Sequence, residues 1–211
     1  MALTLYYHPL SSFCWKALVA LYEAGVPFTP RLVNFGDPED EAAFRALWPI
    51  RKFPALDDDG RLVPEATIII EHLALRHGAA LVPMDPEAAL EVRAQDRFID
   101  LYLHMPMQRI IADRLRPADA KDPTGVAEAR ALASTALGVF EARMAGRTWA
   151  VGDDFTMADC AALPALFYLN KVQPLTGRWP ICEAYLARLA ERASGARVLS
   201  EAQPYFHMFP A

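Results

Sequence analysis

No two cysteines of this chain stand near one another. There are three, Cys14, Cys160 and Cys182, an odd and widely spaced set with neither a CxxC pair nor a Cys/His zinc pattern. No metal ligand set and no disulfide framework is therefore expected. Reduced thiols in a reducing compartment fit this usage, and "ADCAAL" and "WPICEAYL" read Cys160 and Cys182 as small buried residues of helices. Also missing is any concentration of basic residues. Lys and Arg number 21 against 26 Asp and Glu, for a formal net charge of −5, and they are scattered, which excludes the phosphate-neutralising surface that a nucleic acid needs. "MALTLYYHPL" has no basic n-region ahead of an apolar h-region, and no run approaches the ~18 apolar residues that span a bilayer. Neither nucleic acid nor membrane is expected as a partner, and a cytoplasmic location is the default. Repeats and low-complexity tracts are absent as well.

What is present is ordinary globular composition, 54% apolar and 22% charged, so a packed core is expected. The first eighty residues alternate strand and helix. "LTLYY" reads as a short buried strand. Residues 12–24 carry Phe13, Ala17, Leu18, Ala20, Leu21 and Ala24 at helical spacing and stop at Gly25, with Ser11 or Ser12 as a ready N-cap. "FTPRLVNF" suits a second strand, and "PEDEAAFRAL" opens with Pro and acids as first helical turns do. Within "FPALDDDGRLVPEATIII" two apolar runs joined by Asp59-Gly60 predict a hairpin. A helix over 65–77 closes the unit, with Arg76 and His77 in its last turn and Gly78 past its end.

The texture then changes. "LVPMDPEA" reads as an extended connector, and residues 86–200 read as helices almost throughout, over 86–115, 125–145, 156–171 and 179–193, with Pro106 and Pro164 expected to kink or break theirs. "DDFTMADC" places Thr156 and Asp159 three apart before an apolar run, a capping-box variant. An α/β unit followed by an all-helical one predicts two domains, residues 1–80 and 87–211, joined by 81–86.

The turn between the first strand and helix crowds Tyr7, Ser11, Ser12 and Cys14 together, and packing patterns do not choose among them. The wider context adds information. "KFPAL" resembles the family pattern V-P-x-L, "EATIIIEHL" (65–73) resembles E-S-x-x-I-x-x-Y-L, and "DDFTMAD" resembles G-D-x-[ST]-x-A-D. Together, in order and over the whole chain, these resemble the cytosolic glutathione transferases, in which a thioredoxin-like domain is followed by an all-helical one. The resemblance implies glutathione as co-substrate, a small hydrophobic electrophile as its partner, and a homodimer.

It also implies site residues. Pro54 is expected in cis, with the Phe53 backbone pairing to the cysteinyl unit and Arg51 and Lys52 beside it. Glu65 is expected to accept from the ligand's ammonium, while the Ala66 N–H at a helix start donates to the γ-glutamyl carboxylate. Ala66 departs from the pattern's Ser and removes a hydroxyl donor worth ~1–2 kcal/mol against a charged acceptor, unless Thr67 compensates. Free thiols have a pKa near ~8.5 and only the thiolate attacks. A hydroxyl at the positive end of the first helix can lower that value.

Ser11 falls where the serine-type classes carry their activating hydroxyl, and "SSFCW" resembles the zeta-type S-S-C-x-W. Tyr7 falls where the tyrosine classes carry theirs, and Ser12 remains a third candidate. Cys14 makes SxxC rather than CxxC, which cannot run a two-thiol cycle internally, so it is read as buried. Lys16 is read as a solvated or snorkelling cation. Tyr102, His104, Met105 and Met107 are expected to line the electrophile's pocket, with His104 open to a role in proton transfer. Two other readings stay open: a non-catalytic binding module of the same fold, and a glutathione-dependent reductase or peroxidase acting through Cys14.

Overall fold

The computed structural model describes residues 3–210; residues 1, 2 and 211, at the outer bounds of the expected domains, lie outside the described residues. The chain forms β1 (Leu3–Tyr7), α1 (Ser12–Ala24), β2 (Thr29–Leu32), α2 (Pro38–Leu47), β3 (Ala55–Asp58), β4 (Arg61–Pro64) and α3 (Ala66–His77). The four strands make one sheet in the order β2-β1-β3-β4, with β1 parallel to β2 and the other pairings antiparallel. β2 contains Pro30, which lacks a ladder N–H and is tolerated because β2 is an edge. The β3–β4 turn is the expected Asp59-Gly60, with both residues at positive φ, 50° and 89°. That geometry matches the right-handed twist of the flanking strands.

The rest is helical: α4 (Pro86–Phe98), α5 (Met105–Arg114), α6 (Pro123–Met144), α7 (Met157–Val172), α8 (Pro180–Glu191) and α9 (Ala193–Ala202), followed by a 3-10 turn over Gln203–Met208. This is a thioredoxin-like domain followed by an all-helical one. α1 lies in the core between α3 and α7, and its Trp15 is fully buried with Nε1–H donating to the Pro9 carbonyl at 2.6 Å. No helix among the described residues is long and apolar enough to cross a membrane.

The regular α-helix is interrupted just before Pro106, where a break or kink was expected: α4 passes into α5 through a π turn over Ile99–His104, in which the Met105 N–H bonds the Asp100 carbonyl five residues back. A proline has no N–H and its ring crowds the turn before it; the wider π turn absorbs both effects. α7, by contrast, runs through Pro164 without a break. The helix expected over 179–193 forms as α8, and a further helix that was not expected, α9, follows it, with the extended Arg192 (φ −61°, ψ 140°) separating the two.

Lys16 is fully buried rather than solvated. Its Nζ ion-pairs with Asp96 at 2.6 Å and Asp100 at 2.8 Å and donates to Thr67 Oγ1 at 2.7 Å. α1, α3, α4 and the π turn are thus tied across the two domains.

The capping box is present and extended. Asp159, fully buried, accepts from the Thr156 N–H (2.8 Å) and hydroxyl (3.0 Å), the Ala150 N–H (2.8 Å) and the Tyr185 hydroxyl (2.5 Å). Thr156→Ala removes only the N-cap hydroxyl, so it is expected to cost ~1 kcal/mol and, for a chain of this size, about 2–4 °C of melting temperature. Calorimetric melting with and without glutathione checks this, and glutathione's own stabilising effect is expected to be unchanged.

Candidate active site

Three local structures converge at the C-terminal side of β1. The loop from Tyr7 to α1 is held from both domains, by Trp15 Nε1–H on Pro9 and by the Tyr168 hydroxyl donating to the Leu10 carbonyl at 2.9 Å. It delivers Ser11, not Ser12, as the N-cap of α1. Ser11 Oγ accepts from the Cys14 N–H at a long 3.4 Å, so its proton stays available to a ligand at the positive end of a 13-residue helix. The second structure is the segment before β3, where Arg51 has φ 56° and the Phe53–Pro54 peptide is cis. The third is Glu65, at φ 74°, whose side chain makes no capping hydrogen bond to α3.

Positive φ at a residue other than glycine costs of the order of 1–3 kcal/mol and tends to gather at ligand clamps. Two of the three such residues described, Arg51 and Glu65, face the same cleft.

That cleft has a volume of about 430 Å³, within the usual range for small-ligand sites. Ser11, Arg51, Lys52, Phe53, Pro54, Glu65 and Ala66 line its sheet side, and Met105 lines its helical side. Phe13, Phe35 and Gln108 also line it; these were not foreseen. Gln108 lies three residues after Met105, on the same helical face, and that spacing was the available signal. Phe35 sits in an irregular loop with no local pattern to mark it. Arg51 holds Glu41 at 2.7 Å and lies 5.2 Å over the Phe35 ring. A second hollow of about 740 Å³ shares Lys52, Met105 and Gln108 with the cleft and continues along Leu101, Pro106 and Leu132.

Other expected residues lie elsewhere. Ser12 is buried, with Oγ accepting from Gln108 Nε2 at 2.6 Å and facing His104 Nε2 at 2.6 Å, so it does not reach the cleft. Tyr7 is half-buried and does not line it, and burial, then the charge of Glu201, pushes its phenol up. Thr67 cannot stand in for the missing hydroxyl at Ala66. Its Oγ1 accepts from Lys16 and donates to Asp96 at 3.0 Å, in the buried interdomain cluster.

Of the four residues expected around the electrophile, only Met105 lines the cleft and its extension. Met107 is fully buried. Tyr102 opens on a different hollow, beside Phe98 and Arg143. His104 is fully buried, stacked on Phe13 at 3.9 Å, and burial brings its pKa down to about 3. A neutral, enclosed imidazole does not shuttle protons with solvent near pH 7. Burial likewise pushes the Cys14 thiol up to about 12, although the Ser11 hydroxyl and the His8 backbone pull the other way. Cys14 is therefore a thiol at neutral pH and lacks the thiolate that a reductase needs.

Residues 5–81 match the family model for the glutathione S-transferase N-terminal domain, and residues 75–193 match the model for its C-terminal domain. The chain belongs to the glutathione S-transferase family. It is 29% identical over 194 residues to a maleylpyruvate isomerase from Ralstonia sp, a match covering 88% of this chain and 91% of that protein. It is 28% identical over 173 residues to a probable maleylacetoacetate isomerase from Caenorhabditis elegans, covering 79% and 78%. Among solved structures, a glutathione S-transferase from Methylobacterium radiotolerans in complex with glutathione sulfonate superposes with a TM-score of 0.82 at 25% identity over 94% of each chain.

Proposed function

We propose that the cleft binds glutathione, that Ser11 stabilises its thiolate, and that the thiolate attacks a small hydrophobic electrophile seated in the hollow beyond Met105. The observation that carries this reading is the placement of Ser11: an N-cap hydroxyl with a long contact to its own helix opens on a cleft whose other walls are the cis-Pro54 loop and Glu65. Glu65 supplies a carboxylate for the ammonium, the Phe53 backbone pairs with the cysteinyl unit, and Arg51 and Lys52 offer cations for a carboxylate. The Ala66 N–H, the first of α3, donates to the other carboxylate. The test is a crystal grown with glutathione: sulfur within hydrogen-bond distance of Ser11 Oγ is expected, and sulfur nearest Tyr7 or Cys14, or an empty cleft, overturns the chemistry.

Ala66 offers a second test. Ala66→Ser restores a hydroxyl beside the γ-glutamyl carboxylate and is expected to tighten glutathione binding about tenfold, the equivalent of ~1.4 kcal/mol. Calorimetric titration reads it. An unchanged affinity places the γ-glutamyl group elsewhere.

Glutathione-dependent isomerisation is a second reading, because two relatives are named as isomerases and the hollow carries Lys52 and Arg109, cations suited to an acidic substrate. Thiolate addition to an activated double bond, rotation and elimination would regenerate glutathione.

We also propose a homodimer in a reducing, cytoplasmic setting. Ile68, Leu75 and Leu90, on α3 and α4, are each more than half exposed, apolar side chains outside the hollow that a partner could cover. The three thiols are unpaired.

A further inference from the structure

The hairpin and the end of α3 carry a group of side chains that the proposed chemistry does not use. Asp58 ends β3, while His72 and His77 stand five residues apart on the last turns of α3. Both imidazoles point their Nε2 at one oxygen: Asp58 Oδ2 lies 2.7 Å from His72 and 3.1 Å from His77. The three ligand atoms all fall within 4.8 Å of one another.

We infer that Asp58, His72 and His77 form a binding site for a divalent transition-metal ion, of which Zn(II) is the probe of choice. A tetrahedral zinc ion with nitrogen and oxygen ligands at ~2.0–2.2 Å places its ligand atoms about 3.3 Å apart, so small side-chain rotations around the present contacts admit it. Two imidazoles and one carboxylate are a borderline N₂O set that suits zinc, with water in the fourth position. In the loaded form each neutral imidazole carries its proton on Nδ1, and the metal takes the place now filled by the two Nε2 contacts to Asp58.

The setting favours a bound ion over an ordinary surface pair. The side chains are only 13%, 6% and 8% exposed for Asp58, His72 and His77, and a strand end and a helix hold them in place. His72 stands where the family pattern has Tyr, so the donor set is a feature of this chain. Zinc here would clamp the β3–β4 hairpin to α3, whose first residue lines the cleft. No such site was expected from sequence, since the three residues are far apart in the chain and His72 and His77 lack the i, i+4 spacing of common helical zinc pairs.

The test uses the full chain, stripped with a chelator and free of glutathione. Titration with Zn(II) is expected to show one saturable equivalent and to raise the melting temperature; Co(II) is expected to give the visible absorption of a tetrahedral site. His77→Gln and Asp58→Asn should each weaken zinc binding about tenfold or more, while His207→Gln, an exposed control, should leave it unchanged. Absence of saturable uptake by the unmutated protein overturns the inference, whatever the variants do. Uptake unaffected by both variants overturns it too.

Discussion

Replacing Ser11 by Ala is expected to move the titration of bound glutathione's thiol up towards the ~8.5 of a free thiol. If the hydroxyl and the helix terminus lower that value by about two units, they favour the thiolate by ~2.7 kcal/mol. At pH 7 the ionised fraction then falls from roughly three-quarters to a few per cent, about 25-fold. A more basic thiolate is intrinsically more nucleophilic, by about six- to tenfold for two units, so turnover with an activated aryl halide should drop by only about threefold at pH 7. The sign with pH is distinctive: the deficit grows to about tenfold well below pH 7 and closes as pH rises towards ~8.5, where both proteins carry thiolate.

Two measurements check this, the ultraviolet absorption of bound thiolate against pH and the pH profile of kcat/KM. Tyr7→Phe should change neither, because Tyr7 does not line the cleft. A Ser11→Ala variant that titrates like the parent removes Ser11 from the chemistry, and a parent that binds glutathione without ionising it favours the non-catalytic module.

Much of this site was legible because its signals are local. The strand-turn-helix with a serine cap, the Asp59-Gly60 hairpin and the Thr156/Asp159 box each depend on residues a few positions apart, and each forms where the spacing puts it. Facing was harder to read. Thr67 follows Ala66 in the chain, yet a helix turns about 100° per residue, so its hydroxyl looks into the domain interface at Asp96 rather than into the cleft. Tyr102, His104, Met105 and Met107 were grouped as neighbours in sequence, although Leu101, Met105, Gln108 and Ala112 are the residues that share the wall of the hollow. The π turn over Ile99–His104 shifts the helix face by part of a turn, and nothing in the residues before Pro106 announces it. Lys16 shows the same limit, since a lysine in an apolar helix stripe is buried only if charges 80 and 84 residues away come to meet it.

That interdomain cluster gives the largest stability effect expected. Lys16→Met leaves Asp96 and Asp100 facing each other and Thr67 without their cation, apart from Arg97, which reaches Asp100 only at 3.7 Å from a half-exposed position. Removing one partner of a buried ion pair costs ~3–5 kcal/mol because the other charge stays behind unpaired. For a chain of this size that corresponds to a melting temperature lower by roughly 6–20 °C.

Burial, partly offset by Lys16, already raises the Asp96 carboxyl above its ordinary value. Between the unfolded value and that raised one, the folded state binds the extra proton, so this group's contribution to stability falls as pH rises through the window. Without Lys16 the window widens upward. The variant's deficit should therefore be greater at pH 8 than at pH 5, where protonation quenches one of the two charges. A triple change, Lys16→Met with Asp96→Leu and Asp100→Leu, should recover much of the loss by removing the stranded charges together. Melting curves of the three proteins at the two pH values decide it. A Lys16→Met variant as stable as the parent at pH 8 would mean that water already reaches the cluster and that the two domains are held together by apolar packing alone.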